Sequence, residues 1–387
     1  MVTSKKRISI FMPSLFGAGG QRSMLNLAHG IAARGYGVDL VLAQAEGEFM
    51  DDVRKPVRIV DLKASRVMTS IPALVSYLRR EQPDAMLSVF GYVNIIAILA
   101  WRLAGVPTRL FVNEQNTVSL EAGNAASWSV RITPRLMKHF YPWANGIVVV
   151  SGGVRDDMVQ MTNIPKERIN VIYNPSVIGA EVLEKAQASL YHPWFKPGQP
   201  PVIVAVGRLQ IQKDYPMLLH AFAQMRRARP ARLIILGEGK ERPLLEQIIK
   251  ELGLGHDVSL PGFVANPYAY MANAQLFALS SRWEGLPTVL IEALCCGTPA
   301  VATDCPSGPR EILQNGRYGR LVPVGDVDAF AHAMRVSLDN HTRSAPVESW
   351  QPYELETVTK QYLNLLLEKQ QTVSSAMALP SEQTQPL

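Results

Sequence analysis

The chain predicts an α/β protein built from two parallel-sheet units that face one another across a cleft. Three observations carry that reading. Strand-length apolar runs alternate with helix-length runs from residue 8 to 151, and the alternation starts again at 201. That alternation is the pattern of a parallel sheet covered by helices. Between the two series lies a stretch holding Pro193, Pro197, Pro200 and Pro201, irregular as an interdomain linker is. The length of 387 residues agrees, since domains run to about 100–200 residues each.

The first series predicts strands Ile8–Met12, Gly37–Ala43, Arg58–Leu62, Ala85–Phe90, Thr108–Asn113 and Gly146–Ser151. Its helices are Gln21–Ala33, Ile71–Glu81, Val93–Ala104 and Thr133–Tyr141. The second series predicts strands Pro201–Val206, Arg232–Leu236, Val258–Pro261, Leu276–Ala278 and Ala300–Ala302. Between them stand helices Tyr215–Ala228, Lys240–Leu252, Pro267–Asn273 and one that begins near Pro287 and ends at Gly297. The resulting division is 1–178, 179–352, a helix in 353–369 that crosses back to the first domain, and a tail. Residues 370–387 are polar with few large apolar side chains, and disorder is expected there.

Composition narrows the class. A hydrophobic share of 47% supplies a sizeable core. The three cysteines, Cys295, Cys296 and Cys305, are too few and too clustered for a disulfide framework, which points to a reducing compartment. They also lack the spacing of a metal site. The opening basic residues and short apolar run resemble a secretory leader, but the run passes straight into Gly17-Ala18-Gly19-Gly20 and reads better as a first strand. The run Met86–Trp101 is interrupted by Gly91, Tyr92 and Asn94 and falls short of the ~20 apolar residues of a membrane span. Residues 1–180 hold 20 Lys and Arg against 13 Asp and Glu, while the remainder holds 19 against 20. A basic first half suits an anionic partner such as a membrane surface, a lipid phosphate or an acidic saccharide, or serves solubility alone. Nucleic acid is not among the expected partners. The segment WSVRITPRLMKHFYPW, residues 128–143, mixes cations with aromatic and aliphatic residues. It reads either as a surface that rests on an anionic membrane or as a half-buried helix face, with Pro134 limiting any single helix.

Four loops at strand carboxyl ends carry candidate chemistry, because ligands of such sheets bind beyond those ends. In SLFGAGGQRSM, glycines between strand and helix let backbone amides approach an anion. In VGRLQIQKDYP, Arg208 and Lys213 bracket a strand end, as a diphosphate site requires, or decorate a solvated loop. In GEGKERP, Gly237 and Gly239 open a helix. In WEGLPTVLIEALCCG, two acids interrupt an apolar stretch. Glu292 is flanked by Leu290, Ile291, Ala293 and Leu294, a setting that costs free energy unless something pairs with the carboxylate. Such a carboxylate suits a vicinal diol such as ribose, and Glu284 can reach a second hydroxyl-bearing group. The alternative is an exposed loop acid and an ion-paired core acid.

With these motifs assembled, the chain resembles the retaining glycosyltransferases of family 4, which have two facing Rossmann-like domains, the GT-B fold. The Gly17–Gly20 loop, VGRLQIQKDYPMLLHAF, LIILGEG, LPGFVANP and EGLPTVLIEA carry the resemblance over roughly residues 5–335. It implies that Arg208 and Lys213 bind the donor diphosphate and that Glu292 binds ribose. It implies that Glu284 contacts the donor sugar, so that Glu284, Arg208 and Lys213 form the catalytic set. Leu286, Pro287, Thr288 and Val289 would complete the phosphate site beside Gly285. Phe263 and Val264 would flank the base, and Gly19, Gly20 and Gly237 would line the donor site. The family often carries a histidine after strand Thr108–Asn113. Here the loop reads VNEQNTVSL, with Glu114 or Asn116 placed for the acceptor side. TDCPSGPREI, residues 303–312, occurs in relatives that build lipid-linked or surface polysaccharides, and favours a UDP-hexose or UDP-N-acetylhexosamine donor.

The resemblance therefore implies transfer of a sugar from a nucleotide-diphosphate donor to a saccharide or lipid-linked acceptor. The place is the cytoplasm or the inner face of the plasma membrane. No metal or other cofactor is expected, because cations and helix amides stabilise the leaving phosphate directly, and Asp326 and Asp328 read as a helix start. A UDP-sugar 2-epimerase lacks this arrangement of Glu284, Gly285 and Glu292. A non-catalytic nucleotide-sugar-binding protein has no reason to hold all four charged groups together, and a phosphorylase would need a lysine-linked cofactor pattern.

Overall fold

In a computed structural model, residues 5–16, 19–124, 128–176, 179–339 and 345–368 are described, with the side chains of residues 128 and 129 left aside. Gly17, Ala18 and the tail 370–387 lie outside them. The first sheet has seven strands: β1 (Arg7–Met12), β2 (Gly37–Leu42), β3 (Arg58–Asp61), β4 (Ala85–Val89), β5 (Arg109–Glu114), β6 (Gly146–Val149) and β7 (Ile169–Val171). The second has six: β8 (Val202–Val206), β9 (Arg232–Leu236), β10 (Val258–Gly262), β11 (Leu276–Leu279), β12 (Ala300–Thr303) and β13 (Arg320–Val322). Their spatial orders are β3-β2-β1-β4-β5-β6-β7 and β10-β9-β8-β11-β12-β13, and the pairings are parallel.

Central strands of such sheets are covered on both faces, which requires unbroken apolar runs. β4 and β12 are buried at every position. Both sheets reverse their strand order beside their first strand, β1 beside β4 and β8 beside β11, and that reversal opens the crevice where ligands bind.

The apolar core follows the two sheets, and one cluster runs from Phe11 and Val112 of the first unit to Leu290 and Ala302 of the second. Helix Leu355–Leu367 returns to the first unit. Its Val358, Tyr362 and Leu366 are buried with Leu27 and Ile31 of helix Gly19–Ala33. That approach depends on Gly30, where a Cβ would meet Thr359 Oγ1 at 2.5 Å.

Several segments differ from the sequence reading. Helix Trp128–Phe140 runs through Pro134 instead of stopping there. The proline ring forfeits one backbone hydrogen bond, but Pro134, Thr133 and Met137 are buried, so packing holds the helix together. Helix Gly152–Thr162 carries few apolar residues and β7 is only three residues long, which hides both in the sequence. Among the described residues, no helix is long and apolar enough to cross a membrane.

Candidate active site

Loops at the carboxyl ends of both sheets converge. The loop after β8 and the loop after β11 are tied together before either meets the first domain. Gln212 Nε2 donates to the Trp283 carbonyl at 2.9 Å, and the Arg282 amide donates to the Gln212 carbonyl at 2.8 Å. Arg282 also pairs with buried Asp214 at 2.8 Å. This frame delivers Lys213 to Glu284. Lys213 Nζ lies 2.6 Å from Glu284 Oε1, and Ser281 Oγ donates to the same oxygen at 2.5 Å. Both side chains are largely buried, so the pair is screened little by solvent. Glu284 is thus held by Lys213 rather than exposed in a loop. Arg208 is exposed and has no polar partner among the described residues.

Glu292 behaves differently. It is buried in helix Thr288–Cys295, one turn past Thr288, and its carboxylate has no hydrogen-bond partner among the described residues. Burial pushes its pKa up to about 7, against a downward pull from Arg22 of the first domain. The charge of Glu292 is also the largest cause raising the pKa of Tyr268. A buried carboxylate without partners is a costly arrangement, and hydroxyl donors from a ligand would relieve it. Pro287 stands one residue before the helix proper, as its N-cap, instead of in the first turn. The helix start faces Gly19, whose missing Cβ would lie 3.1 Å from Thr288 Oγ1. Two helix N-termini therefore oppose one another, and both favour an anion between them.

The glycines of the site are tied to close approaches. At Gly285 a Cβ would lie 2.1 Å from the Gln115 carbonyl oxygen, so the domains touch through bare backbone there. Gly237 has φ of 140°, and a Cβ on it would lie 2.1 Å from the Gly207 oxygen. Phe263 is 66% exposed at the end of β10, open for a ring to stack on, and Val264 is half-buried beside it. Leu286 is buried and Val289 half-buried.

On the first-domain side, the two acceptor-side candidates separate. Asn116 sits at the junction, its Cα 2.9 Å from the missing Gly285 Cβ. Glu114 is 1% exposed, which removes it from the open wall of the cleft. Its Oε1 accepts from Asn94 Nδ2 at 2.8 Å and from the Tyr141 hydroxyl, and burial pushes its pKa up to about 8.

The sequence reading missed the contacts that lock the domains together. Thr117 Oγ1 donates to the Glu284 carbonyl at 2.6 Å. Ser151 and Ser307 hydroxyls both lie within 2.9 Å of the Gly285 carbonyl. Glu311 accepts from the Gly152 amide at 3.0 Å and from the Tyr173 hydroxyl at 2.7 Å. TDCPSGPREI, which holds Ser307 and Glu311, was the available signal.

Two parallel sheets meeting at a site of this charge pattern define the GT-B class of glycosyltransferases. Residues 17–176 match the model of Glycosyltransferase Family 4, and residues 191–349 match that of Glycosyl transferases group 1. The chain belongs to this family of transferases. It is 34% identical over 250 residues to a Campylobacter jejuni protein named N-acetylgalactosamine-N,N'-diacetylbacillosaminyl-diphospho-undecaprenol 4-alpha-N-acetylgalactosaminyltransferase. That match covers 64% of this chain and spans 65% of the relative, just under two thirds of its length. It is 25% identical over 364 residues to the Rhizobium meliloti lipopolysaccharide core biosynthesis glycosyltransferase LpsE, covering 91% of this chain and 96% of that one. Among solved structures, Anabaena HepE in complex with UDP-glucose superposes with a TM-score of 0.76 at 20% identity, over 93% of this chain and 99% of the other. At that identity the likeness speaks for the fold.

Proposed function

We propose that the protein is a retaining glycosyltransferase that moves a hexose or N-acetylhexosamine from a UDP-sugar to a glycan or lipid-linked saccharide, in polysaccharide or glycoconjugate synthesis. The observation that carries it is Glu292, a buried carboxylate without partners, one turn into a helix whose start faces Gly19 across the cleft. The vicinal hydroxyls of ribose fit that carboxylate, and a diphosphate then falls between the two helix starts. Breaking the sugar–phosphate bond builds negative charge on the leaving phosphate. Lys213 and the amides at Thr288 and Val289 are held where they could receive it, and the exposed Arg208 can turn toward it. Lys213 has three donors and gives one to Glu284, which leaves two for phosphate oxygens. The second oxygen of Glu284 remains for a donor-sugar hydroxyl. Phe263 and Val264 take the base.

The named substrates of the Campylobacter relative support a lipid-linked acceptor, and the preference for a uridine donor rests on the resemblance carried by residues 303–312. Retention of configuration rests on the resemblance to family 4. The reading includes no divalent metal and no other cofactor. Its test is nucleotide release from UDP-, GDP- and ADP-sugars, with and without a strong chelator. Release from one UDP-sugar at an unchanged rate in chelator is expected. Release from none of them, or only with a divalent ion, contradicts the reading.

The proposal extends to a cytoplasmic place at the inner face of the plasma membrane. Arg131, Arg135, Lys138 and His139 are exposed along helix Trp128–Phe140. Nearby, Trp143 is 44% exposed under the Arg102 guanidinium, and Leu103 is 61% exposed. Cations beside exposed apolar groups suit an anionic interface. Co-sedimentation with anionic vesicles, lost at high salt, is the expected result; no binding at low salt would remove the membrane from the account.

A further inference from the structure

The proline-rich stretch before the second sheet builds a hollow far from the cleft. Asn266 of the second domain donates to the Lys185 carbonyl at 2.8 Å, so the chain has reached that domain before the prolines begin. The stretch then passes under the amino ends of the second sheet, opposite the carboxyl ends that carry the active site. Pro201, Gln275 and Pro299 stand immediately before β8, β11 and β12, which are neighbours in that sheet. Together with Trp194, Phe195 and Arg229 they line a cavity of about 540 Å³. That size falls within the range of about 300–1,000 Å³ of small-molecule sites.

The walls of the hollow are rigid before any guest arrives. Pro193, Pro197, Pro200 and Pro201 restrict the backbone. Trp194 and Phe195 sit in a short turn capped by His192, whose Nδ1 accepts from the Trp194 amide at 3.2 Å. The Arg232 guanidinium stacks over the Trp194 ring at 4.9 Å, and the Phe195 ring lies 6.1 Å from that of Tyr270. Both lining rings stay half-buried. Beside them the Gln275 amide is oriented: its Oε1 accepts from the Val202 amide at 2.7 Å, and its Nε2 donates to the Asn273 carbonyl at 3.2 Å. After these bonds Gln275 keeps one N–H and one lone pair. The Asn273 side chain, exposed on the rim, donates to the Ala269 carbonyl at 2.8 Å and keeps its Oδ1 and a second N–H.

This mixture of groups selects the guest. A lipid tail needs apolar walls without amides. A phosphate needs free cations, but Arg229 is paired with Asp339, which leaves Lys196 as the lining cation without an ion pair among the described residues. A peptide strand needs a sheet edge, whereas β8, β11 and β12 are inner strands. Aromatic rings beside oriented amides complement a sugar, whose C–H face packs on a ring while its hydroxyls both donate to amides and accept from them.

We propose that this hollow is a second saccharide-binding site, at the end of the second domain away from the cleft. Its role rests on the glycosyltransferase reading above. A transferase that extends a glycan gains from holding another part of the same molecule, because the second contact raises the local concentration of the first. A glycan that fills hollow and cleft at once must span at least the five-residue strand β8, roughly 17 Å.

The test is a saturation-transfer NMR titration of the full chain with linear hexasaccharides of glucose, galactose and N-acetylglucosamine. Calorimetry of UDP runs beside it. Wild type binds at least one hexasaccharide. Trp194→Ala removes a ring and Asn273→Ala a rim amide, and each weakens that binding by about tenfold or more. Trp194→Phe keeps a ring and most of the binding, and UDP affinity stays unchanged in all three variants. If Trp194→Ala does not fold, Asn273→Ala on the exposed rim carries the test. Binding that is absent from wild type, or that falls as far in Trp194→Phe as in Trp194→Ala, overturns the site. Binding that survives either alanine change places the glycan elsewhere and overturns it too. A drop in UDP affinity in Trp194→Ala assigns the ring to a nucleotide, with the same consequence. Hexasaccharide bound as expected while no nucleotide binds keeps this site and sinks the transferase reading; UDP bound without any hexasaccharide sinks this site alone.

Discussion

The two walls of the cleft are built from different chemistry. The second-domain wall is charged: Arg208 open to solvent, Lys213 bound to Glu284, and Glu292 buried without a partner. The first-domain wall is neutral: Phe90, Asn113, Gln115 and Asn174 joined by amide hydrogen bonds, with Glu114 behind them carrying a raised pKa. On the proposed function the charged wall would stabilise a leaving phosphate in the transition state, while the neutral wall offers amides that pair with hydroxyls.

Lys213→Ala strikes the charged wall hardest. It strands a buried Glu284 and, on the proposed function, takes a cation away from the leaving phosphate. Turnover should fall by about 10²–10³-fold, and removing one partner of a buried pair should destabilise the fold by about 3–5 kcal/mol. Lys213→Ala retaining near-wild-type turnover would mean that the charged wall is not catalytic.

Gly285→Ala attacks the seam between the walls. A Cβ there would sit 2.1 Å from the Gln115 oxygen, so the domains must separate or strain by about 1–3 kcal/mol. Turnover and thermal stability should drop together while the isolated second-domain contacts stay intact. Unchanged turnover in Gly285→Ala would show that the walls need not touch.

The smallest effect belongs to the neutral wall and is read by pH. Glu114 has its pKa raised from 4.5 to about 8 by burial. A raised carboxyl pKa favours the folded protein at low pH, and that advantage is lost as pH climbs from about 4.5 through 8. Glu114→Gln keeps an oxygen for Asn94 and Tyr141 without a charge to bury. It should flatten the fall in melting temperature between pH 5 and 8, by a few degrees. A variant whose pH slope matches wild type would show that Glu114 stays ionised.

The charged wall was legible in the sequence and the neutral wall was not. An acid inside Leu-Ile-Glu-Ala-Leu violates the burial rule for its type, and Arg208 and Lys213 flank a strand end, so residue type alone marks them. Phe90, Gln115 and Asn174 violate nothing. Phenylalanine at a strand end and amides in a loop occur in any α/β protein, and what sets them apart is a backbone angle and a distance across the fold. The same logic covers the helix through Pro134, where tertiary packing overrides a local rule. It also covers Glu114, which the sequence reading put in the loop after the strand and which the structure places at the end of β5 with its side chain buried.

The most direct test of the central claim is calorimetric titration of UDP, GDP and ADP into wild type and Glu292→Ala. UDP should bind best to wild type and lose about tenfold or more in Glu292→Ala, the scale of a hydrogen bond to a charged group. A nucleotide that binds both proteins equally, or no nucleotide binding at all, would contradict the assignment of Glu292 to the ribose and with it the placement of the donor.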